Sequence, residues 1–151
     1  MNRIHRSNRG TCRTISDKAV AGAYLPGTMV MIGATQLTQA ATPTGGRLAI
    51  LGDREFYAAL SAGFNATDPL MVPYSPGETG IAYLPKPDDE FAVALAAANY
   101  VYGQELTVGA SGRLVAAASG NVVVAYYDQA GKAAAAGELC DVVWAASYTK
   151  A

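Results

Sequence analysis

Four arginines near the start of the chain have the residue type and spacing best suited to binding chemistry. Arg3, Arg6, Arg9 and Arg13 recur every three or four residues, separated mainly by small polar residues. A guanidinium group presents a planar set of N–H donors that fits a carboxylate in two-pronged fashion. The net charge of the whole chain is −1, whereas general nucleic-acid binding requires a basic face that displaces counterions. We therefore expect the four arginines to bind a protein partner and not nucleic acid.

Catalytic chemistry has few candidate residues. His5 is the single histidine and lies in the same polar N-terminal stretch, where we expect no structure to hold its ring. A Ser-His-Asp or Cys-His mechanism requires a positioned imidazole. Asp53 and Glu55 could form a carboxylate pair of the kind that hydrolyses glycosides, but nothing nearby indicates a substrate groove. We predict no catalytic residue, so the chain is not expected to be an enzyme.

Metal and cofactor sites are also not predicted. His5, Cys12 and Cys140 have no ligand spacing typical of a metal site, and residues 88–90 are adjacent carboxylates typical of a solvated corner. Residues 45–47 lack the spacing of a phosphate-binding loop. We interpret Cys12 as a surface thiol and Cys140 as a small buried apolar residue, and the sequence leaves open whether the two pair.

The stretch that carries the arginines, residues 1–18, has only Ile4 and Ile15 to offer to a core. Such a composition does not fold alone. We predict an extended N-terminal arm, ordered only in an assembly and able to reach on the order of 60 Å onto an adjacent subunit. A flexible tail without a partner is the alternative. Residues 19–151 are predicted to form a single β-rich domain.

The clearest β signal runs from Tyr100 to Tyr127. Valine, tyrosine and threonine suit a pleated surface, and glycine, serine and asparagine between them suit tight turns. One of the two alternating sets at residues 122–127 should face inward, with Trp144 packed near that sheet. We predict a meander of three strands, at residues 104–108, 113–117 and 122–127.

The rest of the chain adds shorter strands and turns. Phe91, Val93 and Leu95 alternate with alanines and should face a core. Further strands are predicted at residues 28–32, 47–51, 81–84 and 139–144, a surface loop at 35–46, helical turns at 55–62, and a turn or short helix at 133–136. Together these elements predict a mainly β fold, a compact antiparallel β-barrel or β-sandwich with short helical turns.

The surface is expected to carry little charge. Hydrophobic residues make up 51% of the chain and charged residues 15%, against about 25% in typical proteins. A surface so poor in charge tends to associate, so we expect it to be covered in an assembly. We predict no membrane segment, because Ser119, Gly120 and Asn121 interrupt the longest uncharged stretch, and a spanning helix needs roughly 20 apolar residues.

Residues 102–115 resemble a pattern of tailed-bacteriophage capsid decoration proteins, also called cement proteins. Gly103, Gln104 and Glu105 enter a Thr-Val strand, the chain turns at glycine, and Arg113 opens a basic-apolar strand. Residues 136–144 are similar to the final strand of that family and residues 24–30 to its opening strand. The similarity covers about a third of the chain; residues 1–18 and 68–87 have no counterpart in it.

This resemblance implies a structural virion protein made in the host cytoplasm. Such a protein binds the capsid exterior, cements neighbouring major capsid protein subunits, needs no cofactor, and is commonly a homo-oligomer, either a dimer or a trimer. The alternative is a carbohydrate- or receptor-binding β module on a virion surface, with exposed tyrosines and Trp144 as a sugar platform. A small enzyme built on a β-barrel is the third hypothesis. Attachment to large shells would distinguish the first from the other two.

Overall fold

A computed structural model describes residues 3–7, 12–54 and 68–151. The predicted fold class is confirmed: this part of the chain is mainly β, and its helices are two single 3-10 turns, Pro69–Met71 and Ala110–Gly112. The strands are β1 (Arg13–Val20), β2 (Met29–Ile32), β3 (Gln36–Gln39), β4 (Arg47–Leu51), β5 (Thr79–Leu84), β6 (Glu90–Ala94), β7 (Ala98–Tyr100), β8 (Glu105–Val108), β9 (Leu114–Ala116), β10 (Val122–Tyr127), β11 (Lys132–Ala134) and β12 (Leu139–Thr149).

Strands β1 to β5 form a closed barrel in the order β1-β3-β2-β4-β5. β1 closes it by pairing in parallel with β3 and antiparallel with β5. Closure leaves the barrel no free edge strand. Its interior is small and apolar, and the Tyr74 hydroxyl there donates to the carbonyls of Gly52 and Asp53, each 3.1 Å away. The barrel core consists of Val20, Val30, Leu37, Ala49, Leu51, Tyr74 and Ala82.

A second sheet has the order β6-β12-β10-β8-β9 and is antiparallel throughout. Its two edges meet at one point, because Leu95 bridges Leu114 and the Ala96 N–H donates to the Leu114 carbonyl at 2.9 Å. The sheet therefore curls around its own apolar side chains. As predicted, Phe91, Val93 and Leu95 are fully buried there, and Trp144 is only 6% exposed. The small sheet β11-β7 completes the structure.

The three strands between Tyr100 and Tyr127 are confirmed, but their arrangement as a meander is wrong. β10 pairs with β8 and β12, while β9 pairs with the other side of β8. β8 and β12 occupy both hydrogen-bonding edges of β10, so β9 is left with the other edge of β8. In β10, Val123, Ala125 and Tyr127 are fully buried and Val124 nearly so, so both faces of this strand are covered.

Two local predictions also need correction. The loop expected at residues 35–46 contains β3, whose backbone pairs with β1 and β2 while Leu37 alone is buried. The turn or short helix expected at 133–136 overlaps β11, which pairs with β7. Polar or alanine-rich residues carry little strand propensity, so pairing partners decided both segments. The helical turns expected at 55–62 lie outside the described residues.

The barrel and the second sheet share one apolar core. Met29 and Ile50 of the barrel belong to the same buried cluster as Phe91 and Trp144. Backbone hydrogen bonds join the two parts, from Ala94 N–H to the Gly27 carbonyl at 3.0 Å and from Gly112 N–H to the Ala40 carbonyl at 2.8 Å. The seam between them is therefore a packed interior and not a flexible joint.

The first residues that the structure describes pack against the folded part of the same chain. Ile4 is fully buried, its N–H donates to Asp53 Oδ1 at 3.0 Å, and its carbonyl accepts from Ala92 N–H at 2.8 Å. The Arg6 N–H donates to the Glu90 carbonyl at 2.8 Å, so residues 4–6 run along the open edge of β6. The domain boundary expected after residue 18 falls inside β1, which spans Arg13–Val20. Residues 4–6 therefore lie along the edge of β6 and residues 13–18 lie in barrel strand β1, so neither group forms the expected free arm.

Candidate functional site

The predicted binding arginines do not act as one group. Arg6 Nε lies 3.3 Å from Asp141 Oδ1 of the same chain, an ion-pair distance without hydrogen-bond geometry. Arg3 is exposed, and Arg13 is exposed on barrel strand β1. Arg9 lies outside the described residues. Arg3 and Arg13 remain accessible to a partner, whereas Arg6 helps to fix the N-terminal segment to β12.

Asp53 anchors that segment. Burial raises the pKa of its carboxyl, while the hydrogen bond from Ile4 N–H and the nearby charges of Arg3 and Arg6 act in the opposite direction. Glu55, the other residue of the carboxylate pair that the sequence offers, lies outside the described residues. The observed contacts of Asp53 are those of a backbone cap for residue 4.

The ring of His5 is held, contrary to expectation. It packs against both Tyr83 and Phe91, with ring centroids 5.7 and 5.2 Å away, and these two rings also contact each other at 5.9 Å. Cys12 is half-buried and its thiol donates to the Leu84 carbonyl at 3.4 Å, and burial raises the pKa of that thiol. Cys140 is buried as predicted, and both cysteines are free.

Carboxylates and other ligands form no metal-binding group of three or more within the described parts of the chain. At the predicted acidic corner, Asp88 has φ 72° and Asp89 Oδ2 accepts from Lys86 N–H at 3.0 Å. Glu90 N–H donates to Ser7 Oγ at 2.7 Å. These contacts are those of a tight turn before β6.

A turn between β7 and β8 presents two large apolar side chains to solvent. Val101 is 63% exposed and Tyr102 is 72% exposed. The turn is held from both sides, because Gln104 N–H donates to the Val101 carbonyl and Val101 N–H donates to Gln104 Oε1, both at 3.1 Å. Gly103 has φ 79°, and its N–H donates to the Tyr127 carbonyl at 2.8 Å. We call Val101 and Tyr102 the apolar turn.

The apolar turn stands on a buried aromatic base. Tyr100 is 2% exposed and stacks on Tyr127, with ring centroids 5.6 Å apart. The Tyr100 hydroxyl donates to the Ala96 carbonyl at 2.9 Å. A rigid base removes much of the ordering cost that a flexible loop would meet on binding. The sequence placed these residues before a strand, but their exposure depends on tertiary packing that a pattern does not show.

A polar cluster lies on strands β8, β10 and β12. The Tyr126 hydroxyl donates to the Tyr148 hydroxyl at 3.0 Å, which donates to Glu105 Oε1 at 2.6 Å. Lys150 Nζ lies 2.8 Å from Glu105 Oε2. Hydrogen bonds from Lys150 and Tyr148 lower the pKa of Glu105, and the bond to Glu105 raises the pKa of Tyr148. Trp144 is buried and cannot belong to the sugar platform that the sequence suggested.

No protein-family model matches this chain, and a search of curated proteins gives no significant match. In the described residues, no helix has the length and apolar character needed to cross a lipid bilayer. The function of this chain is therefore inferred from its own residues and from the motif resemblance at residues 102–115. That motif begins at Tyr102, within the apolar turn.

Proposed function

We propose that this chain is a structural decoration protein that attaches to the outer surface of a tailed-phage capsid and cements neighbouring major capsid protein subunits. It acts there as a homo-oligomer, a dimer or a trimer, without a cofactor. In this proposal the apolar turn is part of the attachment surface. Arg3 and Arg13 add charged contacts at the exposed N-terminal side.

The observation that carries the proposal is the rigid exposure of Val101 and Tyr102. Contiguous exposed apolar surface can mark an interaction site, and these two residues are adjacent on a turn that hydrogen bonds hold in place. Tyrosine is enriched at protein interfaces because its ring buries a large area while its hydroxyl stays hydrated. The turn resembles a protein-binding surface more than a small-molecule site, because it projects outward.

Two further features support the proposal. The chain has 15% charged residues, and a surface with little charge is suited to being covered. Residues 102–115, which resemble the decoration-protein pattern, include Tyr102 of the apolar turn, β8 and the start of β9. The motif and the exposed apolar turn therefore overlap at Tyr102.

The second candidate is a carbohydrate- or receptor-binding β module on a virion surface. It is favoured by the tyrosine pair Tyr126 and Tyr148, whose ring centroids lie 6.4 Å apart beside the Glu105 carboxylate. Aromatic faces next to a hydrogen-bonding carboxylate suit a sugar ring. Here the binding surface would be the polar cluster and not the apolar turn.

The experiment uses heads of the encoding phage from which surface proteins have been removed. Purified full-length protein is mixed with these heads, the heads are pelleted, and the bound protein is counted at saturation. The decoration proposal predicts saturable binding with a fixed number of copies per head. Absence of binding, together with specific binding on a glycan array, would reject it in favour of the second candidate.

A further inference from the structure

A groove runs along the seam between the barrel and the second sheet. It consists of two adjacent cavities of about 510 and 270 Å³. Leu25, Arg113 and Gly137 line both cavities, so the Arg113 side chain stands where they meet. The larger cavity is mainly apolar, with Leu70, Met71 and Leu139 in its wall.

Arg113 is placed there by turns on both sides. The 3-10 turn Ala110–Gly112 ends at Arg113, whose carbonyl accepts from Gly109 N–H at 2.8 Å. Its guanidinium lies against Gly137, where a Cβ would be 3.5 Å from Arg113 Nη2. Gly137 has φ 81°, a conformation that favours glycine. A Cβ at 137 would make an ordinary van der Waals contact with the guanidinium, so the backbone conformation and not space restricts this position to glycine.

Arg113 is a half-buried residue whose guanidinium is not paired with a carboxylate of the described residues. In the larger cavity, Arg6 lies beside Asp141 and Glu138 pairs with Lys132. Asp68 also lines this cavity, and its Oδ1 accepts from Leu70 N–H at 3.0 Å. Of the described residues that line the smaller cavity, Arg113 alone is charged.

The guanidinium and the apolar wall of the groove indicate which kind of segment it can bind. A partly desolvated guanidinium gains most from a carboxylate that can accept two parallel hydrogen bonds. Thr28, Gln39 and Ser111 supply further polar groups around the smaller cavity. The apolar wall of the larger cavity needs an apolar side chain next to that carboxylate. A free anion would leave this wall uncovered.

We infer that the groove binds an extended segment of a partner protein in which an Asp or Glu is adjacent to a large apolar residue. The carboxylate pairs with Arg113, and the apolar side chain enters the larger cavity against Leu25 and Met71. Met71 is 62% exposed without such a segment. The inference rests on the proposed function only in taking the partner to be a capsid subunit.

The groove is tested without shells, using two synthetic peptides. The first is acetyl-Gly-Leu-Glu-Leu-Gly-amide, and the second has Gln in place of Glu. Each is titrated into ¹⁵N-labelled full-length protein, and amide shifts are followed by NMR. We expect saturable shifts at Ser111, Gly137 and Leu25 with the Glu peptide, and at least about tenfold weaker binding of the Gln peptide, which lacks the charge.

Variants assign the effect to Arg113. Arg113→Gln should abolish the preference for the Glu peptide, and Arg113→Lys should retain part of it because a point charge remains. Arg47→Gln, at an exposed arginine of β4, is the matched control and should keep the wild-type preference. Equal binding of both peptides by the wild type, or an unchanged preference in a folded Arg113→Gln protein, would overturn the inference.

The peptide titration and the head-binding experiment test the two proposals independently. If the groove inference is wrong and the decoration proposal is right, the wild type binds heads but does not distinguish the peptides. If the decoration proposal fails alone, the Glu peptide still binds at Arg113 and heads do not. A folded Arg113→Gln protein that loses head binding would identify the capsid as the source of the acidic segment.

Discussion

Gly112 and Thr28 touch across the seam so closely that a Cβ at Gly112 would lie 2.4 Å from Thr28 Cγ2. The same Cβ would lie 2.7 Å from the Met29 carbonyl oxygen, which is backbone and cannot rotate away. Gly112 also has φ 64°, in the left-handed region. This contact joins the barrel to the second sheet and orients the turn that carries Arg113.

Gly112→Ala should therefore lower the free energy of unfolding by about 2 kcal/mol or more, from backbone strain and overpacking together. Urea denaturation measures the change. Gly120→Ala is the control, because Gly120 has φ 83° but no atom within 4 Å of its Cβ position. It should show only the conformational penalty of about 1–2 kcal/mol. If Gly112→Ala cost no more than Gly120→Ala, the close contact at the seam would be refuted.

Trp144→Ala should cost about 3–5 kcal/mol of stability, because this 6% exposed ring lies in the core shared by both sheets. Tyr102→Ala serves as the control at a 72% exposed aromatic residue. We expect the control to change stability by less than about 0.5 kcal/mol. A Trp144→Ala change under about 1 kcal/mol would be inconsistent with a buried ring.

Ile4→Ala should cost about 2–5 kcal/mol and lower the melting temperature, since Ile4 is fully buried. Removal of residues 1–18 should unfold the barrel, because it deletes most of β1. Calorimetry measures both effects, and Ser16→Ala, at an exposed residue of β1, is the control. An unchanged melting temperature after the deletion would restore the free arm that the sequence suggested.

The Glu105 carboxylate should make the polar cluster sensitive to acid. Its pKa is lowered in the folded chain by hydrogen bonds from Lys150 and Tyr148. A depressed pKa contributes stability above the unfolded value of about 4.3, and this contribution is lost as the pH falls further. Protection factors for hydrogen exchange at residues 147–150, which correct for the intrinsic pH dependence of exchange, should fall below that pH in the wild type and change less in Glu105→Gln. The same pH dependence in both proteins would exclude Glu105 as its cause.

Sequence patterns predicted the strands whose residues alternate or are strongly β-forming, such as β4, β8 and β10. They missed β3, whose polar residues become a strand only because β1 and β2 pair with it. They also missed the role of Ile4, since one apolar residue in a polar stretch finds its core only in the folded domain. Long-range pairing and local propensity thus conflicted in both cases, and pairing decided.

The candidate surfaces were less predictable than the fold. Arg113 is predicted as the first residue of a strand, and only the fold shows that it lines two cavities without an ion pair to another described residue. The motif beginning at Tyr102 was visible, but the exposure of Val101 and Tyr102 follows from the buried Tyr100 beneath them. Exposure and charge balance depend on residues distant in sequence, so local patterns do not reveal them.

A head-binding titration with variants of the apolar turn tests the proposed attachment to a phage head. Pelleting with stripped heads of the encoding phage gives the dissociation constant of the wild type and of Val101→Ser/Tyr102→Ser. Val101→Ile/Tyr102→Phe is the matched control, because it keeps the apolar surface at the same two positions. We predict at least about tenfold weaker binding for the serine variant and nearly unchanged binding for the control. Equal affinity of a folded serine variant and the wild type would show that the apolar turn does not contribute to head binding.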